Sequence, residues 1–163
     1  MVQLIGACTV AARRLNDWKR LTRKGNQAYA TGHMEQALVD YQAALFVARI
    51  LVGSQAEWDS AVSVDQAESA IVALVVSQHN LADYYTAQQA PGTAAEHLCQ
   101  AHEAVYALLA HPAHRVGELA LRYLHVTGVE LMSFIQRFGG IQRTRQTLQL
   151  ACQASSPLSM SVH

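Results

Sequence analysis

WKRLTRKGNQAYATGHMEQALVDYQAAL, residues 18–45, holds a helix, a tight turn and a second helix. Gly25 and Ala28 keep the first helix thin on the side where a partner must lie close, and Gly32 stops it by entering the left-handed conformation without strain. The second helix then carries one apolar stripe, Met34, Ala37, Leu38, Tyr41, Ala44, Leu45 and Ala48. Its three-and-four spacing is that of a helix face meeting a core.

Outward from this hairpin the same pattern continues. The first helix spans Ala11–Thr31, and the apolar residues before it either extend it backwards or pack as a short arm. The second runs to Leu51 and stops at Gly53. Ser54 with Glu57, and Ser63 with Gln66, have the spacing of capping boxes, so a break or kink is expected between Asp59 and Val64. From Asp65 to Gln89 the positions Ala67, Ala70, Ile71, Leu74, Leu81, Ala82 and Tyr85 form a third stripe, which overrides the strand-like run at 71–76. Pro91 and Gly92 break the chain, and Thr93 is placed to cap a fourth helix that Pro112 ends. A fifth helix, Ala113–Phe138, carries Leu119, Ala120, Tyr123, Leu124, Leu131, Phe134, Ile135 and Phe138. Gly139 and Gly140 turn the chain into a short sixth, Ile141–Gln153, whose stripe of Ile141, Leu148 and Cys152 reads as a polar cap. The expectation is an all-α stack of about six antiparallel helices, one domain over residues 1–154, with 155–163 as a disordered tail.

The hairpin at 18–45 resembles a tetratricopeptide repeat, matching its small, aromatic and glycine positions at Gly25, Gly32, Ala37, Tyr41 and Ala44. Lys24 stands where that family has leucine, and the closing proline is absent. Residues 81–101 resemble a second, degenerate repeat through Leu81, Ala82, Tyr85, Ala94, Leu98 and Ala101. Ala37 and Ala94 are 57 residues apart, against a family period of about 34, so the helices are longer than usual or extra structure intervenes. The segments YQAAL at 41–45, HNLADYY at 79–85 and FIQRFG at 134–139 are similar to an uncharacterised family of short bacterial tetratricopeptide-like proteins. The resemblance implies a scaffold that binds extended peptides with the inner faces of its first helices. On this chain those faces present Lys19, Asn26, Tyr29, His79, Asn80 and Asp83. Asn26 and Asn80 stand at the two asparagine positions of the family's carboxylate clamp, but Thr22 replaces its lysine.

Composition narrows the class. The 163 residues carry no net charge, but its signs are segregated. Residues 1–24 hold six basic side chains against one acid, 25–112 one against nine, and the rest five against two. Basic ends around an acidic middle can orient a partner or pair two copies head to tail. Val72, Val75 and Val76, beside the third stripe, need a second covering surface. Together these features predict self-association as a dimer. Cys8, Cys99 and Cys152 show no CxxC spacing, which suits a reducing cytoplasm. No stretch is long and uncharged enough to suggest a membrane span.

Chemistry-bearing patterns are sparse. His79 and Asp83 share a helix face, but the histidine pairs at 97 and 102 and at 111 and 114 lack HExxH spacing, so no metal or cofactor is expected. Cys99 sits in an apolar stripe as an inert thiol. There is no GxSxG, phosphate loop or dinucleotide fingerprint, and no catalytic residue is expected. The leading function is therefore a non-enzymatic protein-binding module, an adaptor or small chaperone. The alternatives are a nucleic-acid-binding regulator using Arg13, Arg14, Lys19, Arg20, Arg23 and Lys24 with Trp18 and Tyr29, and a self-assembling structural protein.

Overall fold

Six α-helices follow one another in the computed structural model: α1 (Val2–Ala30), α2 (Met34–Gly53), α3 (Ala61–Ala87), α4 (Pro91–Ala107), α5 (His114–Phe138) and α6 (Gln142–Ser155). A 3-10 turn at Leu108–Ala110 joins α4 to α5. The structure describes residues 2–54, 58 and 61–155, with side-chain surroundings for 10–54, 58 and 64–150, and no strand occurs among the described residues. The all-α stack of hairpins expected from the apolar spacing is what forms. α1 packs on α2, α3 on α4, and each hairpin lies against the next.

The boundaries differ in instructive places. α1 begins at Val2, so the apolar leader extends the helix. α3 begins at Ala61, which puts Ser63 inside the helix rather than at its cap. Glu57 of the Ser54–Glu57 box lies outside the described residues, as do residues 156–163 of the expected tail, while Ser54 caps the end of α2 and Ser155 closes α6. α4 starts at Pro91 rather than after Thr93. The reason is Gln89, whose φ of 57° makes it the left-handed residue that ends α3. The Ala90 N–H reaches Tyr85 O at 2.9 Å and the Gln89 N–H reaches Thr86 O at 3.1 Å. Pro91 then takes the first helical position, where its missing N–H costs nothing. Gly32, at φ 79°, closes α1 with the same pair of bonds, His33 N–H to Ala28 O at 2.8 Å and Gly32 N–H to Tyr29 O at 3.1 Å. The two hairpins thus share one turn design, in which glutamine replaces glycine the second time.

The larger apolar cluster joins Trp18 and Ala28 of α1, Tyr41 and Leu45 of α2, and Ile71 and Leu74 of α3, continuing to Val105 and Val116. Val75 is buried in it, and Val72 and Val76 pack against it. These valines therefore need no second molecule, and that reason for a dimer falls away. A smaller cluster holds Leu98, Cys99, Leu131 and Phe134. Burial pushes the Cys99 thiol up, as expected of an inert buried cysteine.

Polar ties cross the stack. Trp18 Nε1 donates to Ser77 Oγ at 2.9 Å, fixing α1 to α3. Gln78, buried on α3, donates to Gln100 Oε1 at 3.1 Å and pairs through Oε1 with His97 Nδ1 at 2.7 Å. Arg49 of α2 also reaches Gln100, at 3.2 Å. α6 docks through only part of its sparse apolar stripe: Leu148 packs against the smaller cluster, but Ile141 is exposed, and the buried positions are Thr144 and Thr147. Arg143 holds α6 instead, forking onto Glu96 and Glu103 of α4.

α2 is long and apolar enough to cross a membrane by length and composition alone. Its apolar side is spent on α1 and α3, and it buries Asp40, to which Gln36 donates at 3.0 Å. Those are the marks of a core helix.

Candidate peptide groove

α1, α3 and α5 lie side by side along one face of the stack. At the α1 end the candidate surface is built on Gly25. A Cβ there would lie 2.6 Å from Cδ1 of Tyr41, so only glycine lets the Tyr41 ring pass against α1. The ring is buried, and its hydroxyl emerges to donate to Asn26 Oδ1 at 2.9 Å. Tyr29 packs beside it, with the ring centroids 6.4 Å apart. Burial first, then Tyr29 and Asp83, raise the Tyr41 phenol above its ordinary value. The influence of Asp83 links the tyrosines of the first hairpin to α3.

On α3, His79 and Asp83 sit one turn apart and face Glu130 of α5. Asp83 opens to solvent, yet the protein around its carboxyl pushes it up, opposed by His79 and reinforced by Glu130. Burial pushes His79 down in spite of both carboxylates. Its Nε2 is enclosed with no hydrogen-bond partner, so the neutral imidazole is favoured. The cluster is therefore acidic, with a neutral histidine at its floor.

Of the six residues expected from the sequence, Asn26 and Tyr29 lie on α1, and His79, Asn80 and Asp83 on α3, with Asn80 half-buried next to His79. Lys19 is exposed about 10 Å further along α1 and joins none of these contacts. Asn26 is not a free donor and acceptor, since its carbonyl already serves Tyr41. Thr22, at the clamp's lysine position, is half-buried with its hydroxyl enclosed and unpartnered.

Two contributors were not legible beforehand. Tyr41 read as a core position, and nothing in the spacing showed that its hydroxyl would reach Asn26. Glu130 comes from α5, whose register against α3 no local motif sets. Among the described residues, no three His, Cys, Asp or Glu side chains are grouped to hold a metal ion. Trp18 is buried with its N–H bonded to Ser77, so it offers no stacking surface to the basic residues of α1.

Two further histidines are shielded. His97 stacks on Tyr85 at 5.4 Å. His102 is buried and pairs through Nδ1 with Thr127 Oγ1 at 2.9 Å. The Thr127 hydroxyl proton goes to Tyr123 O, at 3.0 Å, so His102 donates and its Nε2 keeps a lone pair with no partner. Burial lowers the pKa values of His79, His97 and His102 alike. A lowered folded value means that stabilisation is complete above about 6.5 and is lost as pH falls below it. The melting temperature is expected to drop between pH 7.5 and 5.5, and His102→Asn should flatten that slope. A melting temperature that is level or rising toward acid would refute this reading of the histidines.

No curated protein and no solved structure matches the chain. A family model described as Protein of unknown function (DUF2753) matches residues 16–163, a span that begins before Trp18 and takes in every groove residue on α1, α3 and α5. The chain belongs to that family.

Proposed function

We propose that this protein is a non-enzymatic binding module, an adaptor or small chaperone, that takes an extended basic or neutral peptide of a partner protein along α1, α3 and α5. The observation that supports this reading is that His79, Asp83 and Glu130 act on one another across α3 and α5, while Asp83 also acts on Tyr41, whose hydroxyl donates to Asn26 of α1. The carboxylates select for Lys, Arg or an amino terminus by charge. Asn80 supplies backbone-directed hydrogen bonding, and Tyr29 adds contact area at low entropic cost. The resemblance to tetratricopeptide repeats and the absence of any catalytic motif agree with a binding role in the cytoplasm.

Screening the purified chain against a library of short peptides tests the reading. Basic peptides are expected to be enriched over acidic ones. Asp83→Asn and Glu130→Gln should each weaken them by about 1 kcal/mol without changing helicity. Asn80→Ala should cost about 0.5–1.5 kcal/mol of affinity, whereas Asn26→Ala should lower the melting temperature because it strands the Tyr41 hydroxyl. Enrichment of acidic peptides, or binding indifferent to Asp83 and Glu130, would sink the proposal.

A further inference from the structure

We propose that the outward face of α5, together with Leu148 of α6, is the contact surface between two copies of this chain, paired antiparallel about a two-fold axis near Gly128. The first hairpin is covered by the second, and the second by α5 and α6, and since α6 packs mainly on α4, among the described residues no helix covers the outward side of α5. It nevertheless carries an apolar outer face: Leu121 is 61% exposed, Val129 52% and Met132 45%. With Leu124, Gly128 and Leu148 they enclose a groove of about 580 Å³ that no Asp, Glu, Lys or Arg side chain lines. This side of α5 is roughly opposite Glu130, so the surface is separate from the peptide groove.

Charge at the two ends identifies the occupant. Exposed Glu118 stands near the start of α5. Exposed Arg145 stands at the other end, its Nε 3.1 Å from where a Gly140 Cβ would be. With the Glu118 carboxylate at one end, an apolar middle and the Arg145 guanidinium at the other, the surface complements itself when turned end for end, the property an isologous interface requires. In an antiparallel pair centred on Gly128, Glu118 of one copy lies beside the Arg145 end of the second, and symmetry makes the contact twice. A basic peptide of the kind suited to Asp83 and Glu130 finds no counter-charge along this groove.

Sedimentation velocity of the full chain over micromolar to submillimolar concentration is the test. A dimer is expected, twice the 17.8 kDa chain. Leu121→Glu and Met132→Glu, both at exposed positions, should raise its dissociation constant at least tenfold with unchanged circular dichroism. Glu118→Arg and Arg145→Glu should each weaken it about fivefold, since every end pair occurs twice, and the two reversals together should restore it. A monomer throughout, or a dimer indifferent to Leu121→Glu, overturns the proposal. So does a dimer that the double reversal fails to restore, because the pairing is then not antiparallel. A chain ended at Ser155 that dimerises where the full chain does not would show that residues 156–163 fill the groove, and would overturn it equally.

Discussion

Gly25→Ala is expected to lower the melting temperature by about 4–8 °C, the shift that a loss of about 2 kcal/mol produces in a domain of this size. The added Cβ would lie 2.6 Å and 2.7 Å from two ring carbons of Tyr41. The ring cannot retreat cheaply, because it is buried and its hydroxyl is held by Asn26. Overpacking of this kind costs about 3 kcal/mol, and the better helix preference of alanine returns about 1 kcal/mol. In a Tyr41→Ala background the same substitution should cost nothing or stabilise, so a double-mutant cycle isolates the contact. Equal effects of Gly25→Ala in both backgrounds would show that the close approach is not what glycine is there for.

Arg143→Ala should release α6. The guanidinium bonds Glu96 Oε2 at 2.8 Å and Glu103 Oε2 at 2.8 Å, and also reaches Thr147. These charge-assisted bonds hold Glu96 and Glu103 below the ordinary carboxylate range. The carboxylates are partly exposed, which discounts the interaction to about 2–3 kcal/mol in total. A helix of 14 residues with few apolar contacts does not persist alone in water. Amides of α6 are therefore expected to lose protection from hydrogen exchange while those of α1 to α4 keep theirs. Arg143→Lys should recover only part, because a point charge cannot fork between two carboxylates. In the unaltered chain, α6 should loosen as pH falls below about 4.5, where these glutamates would ordinarily protonate, and progressively through their lowered values. Full protection of α6 in Arg143→Ala would mean that Thr144, Thr147 and Leu148 suffice to hold it.

What the sequence made legible followed from short-range rules. Gly25, Ala28 and Gly32 announce a close helix pair and its turn because each answers a steric demand within a few residues. The apolar stripes announce α2 to α5 for the same reason. Gln89 was not legible, since a glutamine at positive φ is imposed by the packing of the hairpin rather than by its own preference, and Pro91 therefore read as a breaker when it is the first residue of α4. Val72, Val75 and Val76 looked surplus because periodicity marks one face, whereas α3 is enclosed by neighbours on several. The acidic groove was half visible: His79 and Asp83 share a face by spacing, but Glu130 joins them through the register of α5 against α3.

Among the described residues, the helices pack on those one or two places away along the chain. Such a connectivity keeps contacting residues close in sequence, which places folding in the microsecond to millisecond range rather than the slower regime of sheets. It also lets the ends of the stack open without the middle. The bond from Trp18 to Ser77 bridges 59 positions, from the first helix to the third. Trp18 is buried only when α3 has docked, so its fluorescence times the arrival of the second hairpin on the first. Trp58, buried against His111 in the connection between α2 and α3, follows a later stage, the arrival of the segment before α5.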